Sequence, residues 1–180
     1  IGYGKIGKSI ASSLYLKNLN TLVYDNDPIK RVEAISHGFE SPNKDALLKK
    51  ADIIFCASGN RSLTTNDFRR IKSGCFISSV TSSDDEFGLS GIESAYKISK
   101  INEYTDMYKN NKNYFYLLNK GNAINFLHNA VVGNFIYLVQ AEMLILIQKI
   151  RHANTQNDIQ ELDQENRSKI ATEWLKSFAD

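Results

Sequence analysis

The sequence predicts an α/β fold built on a doubly wound parallel sheet, followed by a long helix and a helical tail. Three observations predict it. Short apolar, β-rich runs alternate with runs of helical spacing, the pattern of successive βαβ units. The segment Gly2-Tyr3-Gly4-Lys5-Ile6-Gly7 stands directly ahead of a helix-period run. A second apolar run, Leu22-Val23-Tyr24, closes on an acidic residue, Asp25.

After the glycines, Ile6, Ile10 and Leu14 recur every fourth residue and mark one face of a first helix. Leu22–Tyr24 reads as a buried strand. Asp27 precedes Pro28 as a helix cap, and a second helix runs to about His37. A third, short helix is expected over 43–50. Ile53–Ala57 is a fully apolar strand ending at Ser58-Gly59-Asn60. Thr65 is the expected N-cap of a helix to Ile71, ahead of Asp67. Cys75–Val80 is the next strand, ending in a Ser/Thr/Asp cluster. Further strands are expected at Lys97–Ile101 and Tyr114–Leu118, with polar turns over 109–113 and at Gly121-Asn122. A long helix is expected from about Asn129 to His152, and the polar tail from Asn154 becomes helical through Trp174 and Phe178. The expected division is 1–128 for the sheet domain and 129–180 for the connecting helix and tail. Of the strand that should precede the glycines only Ile1 is present. Its two neighbours are therefore expected to flank an open apolar slot, and the natural protein is expected to extend upstream.

Hydrophobic residues make up 42% and charged residues 23% of the 180, enough for a packed core and too apolar for disorder. A net charge of +2, from 22 basic and 20 acidic residues, supplies no field for nucleic acid. The tyrosines around 104–116 therefore read as strand and hairpin packing rather than as base-stacking platforms. The most apolar stretch, 130–150, is interrupted by Asn134, Gln140, Glu142 and Gln148, which favours a buried or interface helix over a membrane span. Its side chains are apolar nearly all round, so burial on several sides is expected, and an inter-domain or homo-oligomer contact would provide it. Cys56 and Cys75 both lie in apolar runs and read as buried free thiols of a cytoplasmic protein. No residues have metal-ligand spacing.

The glycines carry the chemistry. Gly2 allows a tight turn out of the first strand, Gly4 lets the backbone approach a pyrophosphate, and Gly7 lets the helix pack close to the sheet. The helix start then offers free N–H groups to phosphate. Asp25 follows at the end of the second strand, where a carboxylate accepts hydrogen bonds from ribose hydroxyls and repels a 2′-phosphate. The motif in this context is a Rossmann dinucleotide fingerprint, with NAD favoured over NADP as the cofactor.

Four segments in this order, GYGKIGKSIA, YDNDPIKRVEAISHGFE, CASGN and LLNKGNAINF, resemble the NAD-binding domain of the S-adenosylhomocysteine hydrolase (adenosylhomocysteinase) family over roughly residues 1–150. The resemblance implies tightly held NAD that is reduced and reoxidised within each turnover, in a domain that follows a substrate-binding half. Gly2, Gly4, Lys5, Ile6 and Gly7 match the pyrophosphate loop. Asp25 stands where the family has a ribose-binding glutamate. Ala57, Ser58, Gly59 and Asn60 match a loop beside the cofactor, and Asn125 matches an asparagine that bonds the nicotinamide carboxamide.

Two departures are equally specific. The family's glycine-histidine-phenylalanine segment near the nicotinamide is replaced by Thr81-Ser82-Ser83. A substrate-reaching glycine-histidine-proline segment is replaced by Val131-Val132-Gly133. The lysine and tyrosine of the family's tail are not recognisable. Of the three histidines, His37 reads as solvated and His152 as a cation at a helix C-terminus. His128, three residues past Asn125, is a candidate acid or base for hydride chemistry. The sequence thus reads as an adenosylhomocysteinase-like NAD-binding domain, whose small polar substrate would be handled by another domain and whose hydrolase machinery is incomplete. Two rival readings stand beside it: an NAD-dependent oxidoreductase of the 2-hydroxyacid dehydrogenase type, and a non-catalytic NAD-binding regulatory module.

Overall fold

Helix starts in this chain are set by short polar side chains that satisfy free backbone donors. The computed structural model describes residues 1–81, 86–125, 127, 133–152 and 161–179. Asp27 caps helix α2 (Pro28–Ser36) by accepting from the Ile29 N–H at 2.8 Å. Asn43 caps α3 (Lys44–Lys50) through the Ala46 N–H at 2.9 Å. The short α4 (Thr65–Phe68) is opened by Thr64, not Thr65: Thr64 and Asp67 form a reciprocal capping box, and the helix stops at Phe68 instead of reaching Ile71. Helix α1 (Lys5–Leu16) differs, since its N-cap is Gly4 and no side chain caps it.

The strands are β1 (Ile53–Cys56), β2 (Cys75–Ser79), β3 (Lys97–Asn102), β4 (Thr105–Lys109) and β5 (Tyr114–Leu118). They form one sheet in the order β1-β2-β5-β4-β3. β1, β2 and β5 run parallel, with Ile54 beside Ile77 and Cys75 beside Phe115. β5, β4 and β3 are antiparallel neighbours, so the α/β sheet is mixed at its far edge. β4 has no counterpart in the sequence reading, because Thr-Asp-Met-Tyr-Lys carries too few apolar residues to show a period. The polar turn after it is real: Asn110 N–H donates to the Asn113 carbonyl at 3.0 Å.

Leu22–Tyr24 is not a regular strand. It makes a single parallel bridge, Leu22 to Glu40, and lies beside the chain start. Ile1 forms one parallel rung there: its nitrogen donates to the Phe55 carbonyl at 2.7 Å, and its carbonyl accepts the Ala57 N–H at 2.8 Å. Gly2 N–H donates to Tyr24 O at 2.8 Å on the other side. Beside Ile1 lies a groove of about 460 Å³ lined by Ile10, Leu14, Leu22, Leu47, Ile53 and Phe55, among others.

Residues 22–24 alternate between two apolar clusters. Val23 packs with Tyr3, Ala11, Ala34 and Phe39. Leu22 and Tyr24 pack against the larger cluster of Leu48, Ile54, Phe68, Ile77, Phe115 and others. Phe115 is fully buried and central, with ring contacts to Phe68 at 5.1 Å, Tyr96 at 5.3 Å and Tyr108 at 5.1 Å.

These elements belong to a first compact unit, Ile1–Leu127; the second is His128–Asp180. In the second, a 3₁₀ turn at Gly133–Phe135 leads into α5 (Ile136–His152), which starts later than the sequence period suggests; 128–132 lie outside the described residues. α6 (Gln164–Phe178) is capped by Asp163, which accepts the Asn166 N–H at 2.9 Å. Phe135 stacks on Trp174 at 4.9 Å and Tyr137 on Phe178 at 5.5 Å. The burial expected for the long helix is not seen: Val139, Met143, Ile147 and Ile150 are all more than half exposed.

Candidate functional site

The glycine turn has a backbone that only glycine adopts easily. Gly2 has φ +93°, and a Cβ there would lie 2.6 Å from the Ala57 carbonyl carbon and oxygen. At Gly7 a Cβ would sit 1.9 Å from the Gly2 carbonyl oxygen. These two contacts press α1 against the turn and the turn against the end of β1. Gly4 differs: a Cβ there would meet nothing within 4 Å. Open space therefore faces the uncapped start of α1, whose first turn carries no acidic residue. Lys5 and Ile6 are exposed beside it. Tyr3 anchors the turn from below. Its ring is buried, its hydroxyl bonds His37 Nδ1 at 2.9 Å, and Phe39 meets it edge-on at 6.0 Å. His37 is exposed, as the sequence reading expects, and its ring also bonds Tyr3.

Asp25 closes on this turn. One carboxylate oxygen accepts the Tyr3 N–H at 2.6 Å and the other accepts the Asp27 N–H at 2.9 Å. The side chain is half-buried, which leaves lone pairs for a further donor. On the opposite side of Gly2, the chain leaves β1 through Ala57, Ser58, Gly59 and Asn60; Ala57 is buried and the other three are exposed. Asn125 reaches the same edge of the sheet: Ala123 bridges Ser79 in parallel, and Ile124 N–H donates to the Ser79 carbonyl at 3.1 Å. The side chain of Asn125 is exposed. The carboxyl ends of β1 and β2 and the 123–125 segment therefore share one rim, where open α/β sheets hold ligands.

His128 lies outside the described residues, as do Ser82, Ser83, Val131 and Val132; the side chain of His152 does too. Sequence reasoning missed Glu86. It sat at the end of an acidic, serine-rich run that reads as solvated loop, yet it is fully buried and bonded to the loop after β1. Nothing in the local pattern distinguishes its inward turn. The thiols of Cys56 and Cys75 are free and buried, and burial pushes each up to about 12, which removes them as nucleophiles. Among the described residues no cluster of histidine, cysteine or acid could hold a metal, and no helix is long and apolar enough to cross a membrane.

Comparison with known proteins gives this arrangement its lineage. The chain is 31% identical over 127 residues to an adenosylhomocysteinase of Saccharolobus solfataricus, a match that takes in 69% of this chain and 30% of that protein. The chain thus spans under a third of the length of that relative. Among solved structures, a Ralstonia solanacearum protein described as a D-3-phosphoglycerate dehydrogenase oxidoreductase aligns with TM-score 0.38 and 28% identity, over 43% of this chain and 24% of that one. Residues 1–133 match the family described as S-adenosyl-L-homocysteine hydrolase, NAD binding domain, and with that stretch, which holds both the glycine turn and Asp25, the chain belongs to this family.

Proposed function

We propose that the first unit binds NAD across the glycine turn. The observation that carries this reading is the uncapped start of α1 facing open space at Gly4, with Asp25 docked against the same turn. The backbone N–H groups of Lys5, Ile6 and Gly7 lack intrahelical acceptors, as the first turn of any helix does, and suit a pyrophosphate. Asp25 takes the adenosine ribose hydroxyls, and its charge disfavours a 2′-phosphate, which selects NAD over NADP. Ala57, Ser58, Gly59, Asn60 and the amide of Asn125 line the nicotinamide half; an amide both donates to and accepts from a carboxamide. When bound, NAD supplies a hydride acceptor. The chain's own part is to hold and orient it.

Thr81-Ser82-Ser83 and Val131-Val132-Gly133 stand where the resembled family has histidines, so hydrolysis of adenosylhomocysteine is not assigned to this domain. His128 is its remaining candidate acid or base. A small polar substrate would come from a separate domain. The exposed apolar face of α5, with Val139, Met143, Ile147 and Ile150 at helical spacing, is offered as the contact between copies of the chain, and sedimentation of the purified chain reads it directly. Calorimetric titration tests the central reading. NAD should bind and NADP bind more weakly; absence of heat with NAD overturns it. Asp25→Ala should weaken NAD binding about tenfold or more, the worth of a charged hydrogen bond. An unchanged affinity would remove the ribose assignment.

A further inference from the structure

The Glu86 carboxylate is fully buried, and its hydrogen bonds converge from the rim of the site. Oε1 accepts from the Gly59 N–H at 2.6 Å and from Thr81 Oγ1 at 2.7 Å. Oε2 accepts from Ser58 Oγ at 2.9 Å and from the Ser62 hydroxyl. Its backbone carbonyl accepts from the N–H groups of Ser62 at 2.8 Å and Leu63 at 3.1 Å. One side chain therefore ties the loop leaving β1 to the loop leaving β2. The donors that hydrogen-bond the carboxylate are all neutral: three hydroxyls and one backbone N–H. A buried carboxylate held this way is costly compared with an apolar side chain, and what it contributes is fixed geometry. The geometry concerns one loop: Ser58 and Gly59 are clamped on their inner side by Glu86 and exposed on their outer side.

The clamped loop has a defined place relative to Asp25. Gly2 bonds Tyr24 on one side and touches Ala57 and Ser58 on the other, so Asp25 and the loop flank the glycine turn. A dinucleotide lying over that turn with its adenosine ribose at Asp25 brings its other half to Ser58–Asn60. We infer that Glu86 is the positioning residue for the nicotinamide half of the site, acting through the loop Ser58–Ser62 without touching the cofactor. The inference rests on the NAD reading above.

The test compares NAD with ADP, which lacks the nicotinamide half, on the full chain. Glu86→Ala should weaken NAD binding by at least about tenfold, the loss expected when a charge-assisted network is removed, while ADP binding stays within about twofold. Glu86→Gln should restore NAD binding to within about threefold, because an amide oxygen can accept from Gly59 while its NH₂ donates to serine hydroxyls that rotate. Unchanged NAD binding in Glu86→Ala overturns the inference, and so does an equal loss of NAD and ADP, which would mark a purely structural role. Hydrogen exchange on the unaltered chain needs no variant to fold. The Gly59 amide should be protected despite its exposed position; free exchange there overturns the clamp. If the unaltered chain binds ADP and NAD equally poorly, the NAD reading itself falls, whereas normal NAD binding in Glu86→Ala removes only the role of Glu86.

Discussion

The two units of this chain use their apolar residues in opposite ways. In Ile1–Leu127, side chains far apart in sequence meet: Leu48, Ile54, Phe68 and Phe115 share one core. In His128–Asp180, two helices joined locally stack a few rings, and most of the apolar surface of α5 stays exposed. The difference teaches where a fixed site can be built. A rim that must hold backbone donors to a few tenths of an ångström needs the dense, non-local packing of the first unit. The helical pair offers surface, not a cleft.

That contrast can be broken at several points. The largest effect is expected from Phe115→Ala, which removes a ring touching three others in the centre of the first unit; thermal unfolding should show a loss of about 3–5 kcal/mol. A smaller loss would mean that the core is looser than its burial implies. Gly7→Ala is expected next, at about 1–3 kcal/mol of overpacking. Its Cβ would strike the Gly2 carbonyl, so NAD binding by calorimetry should disappear as well. Retained binding would show that α1 can shift without opening the turn.

Trp174→Ala probes the other unit. It removes a stack on Phe135 and the indole hydrogen bond to the Asn134 carbonyl at 2.8 Å. The expected cost is about 1–2 kcal/mol, read as lost helical circular dichroism with NAD affinity intact. Coupled loss of NAD affinity would erase the contrast between the units. The mildest effect concerns acid. Burial alone would raise the Asp67 carboxyl, but hydrogen bonds from Lys44 and Thr64 outweigh it and hold the group below its ordinary value of 3.8. The unfolded chain then binds this proton more readily than the folded one. The contribution is present in full above about pH 4 and fades as pH falls through the lowered value. Lys44→Met should flatten that acid slope in a pH series of melting curves.

Much of the site was legible in the sequence because its parts are local. Gly2, Gly4 and Gly7 are spaced by the turn itself, and Asp25 ends a short apolar run. Asp27 and Asn43 announce their helices by capping chemistry. What failed was non-local or weakly patterned. Leu22–Tyr24 has the composition of a strand, yet it makes a single bridge, Leu22 to Glu40. β4 is held by its neighbours on both sides and by little of its own. Thr64 outbid Thr65 for the cap because Asp67 sits three residues after it, the spacing a capping box requires.

By itself the sequence determined the α/β class, the glycine turn, its carboxylate partner and the lineage. Each rests on residue types at fixed short spacings, where the chemistry of a peptide segment decides its shape. Tertiary structure alone decided that the far edge of the sheet turns antiparallel, that the apolar face of α5 stays open, and that Glu86 faces inward to clamp the loop beside Gly2. Those outcomes depend on which distant segments pack together, and burial is a property of the assembled fold rather than of any window along the chain.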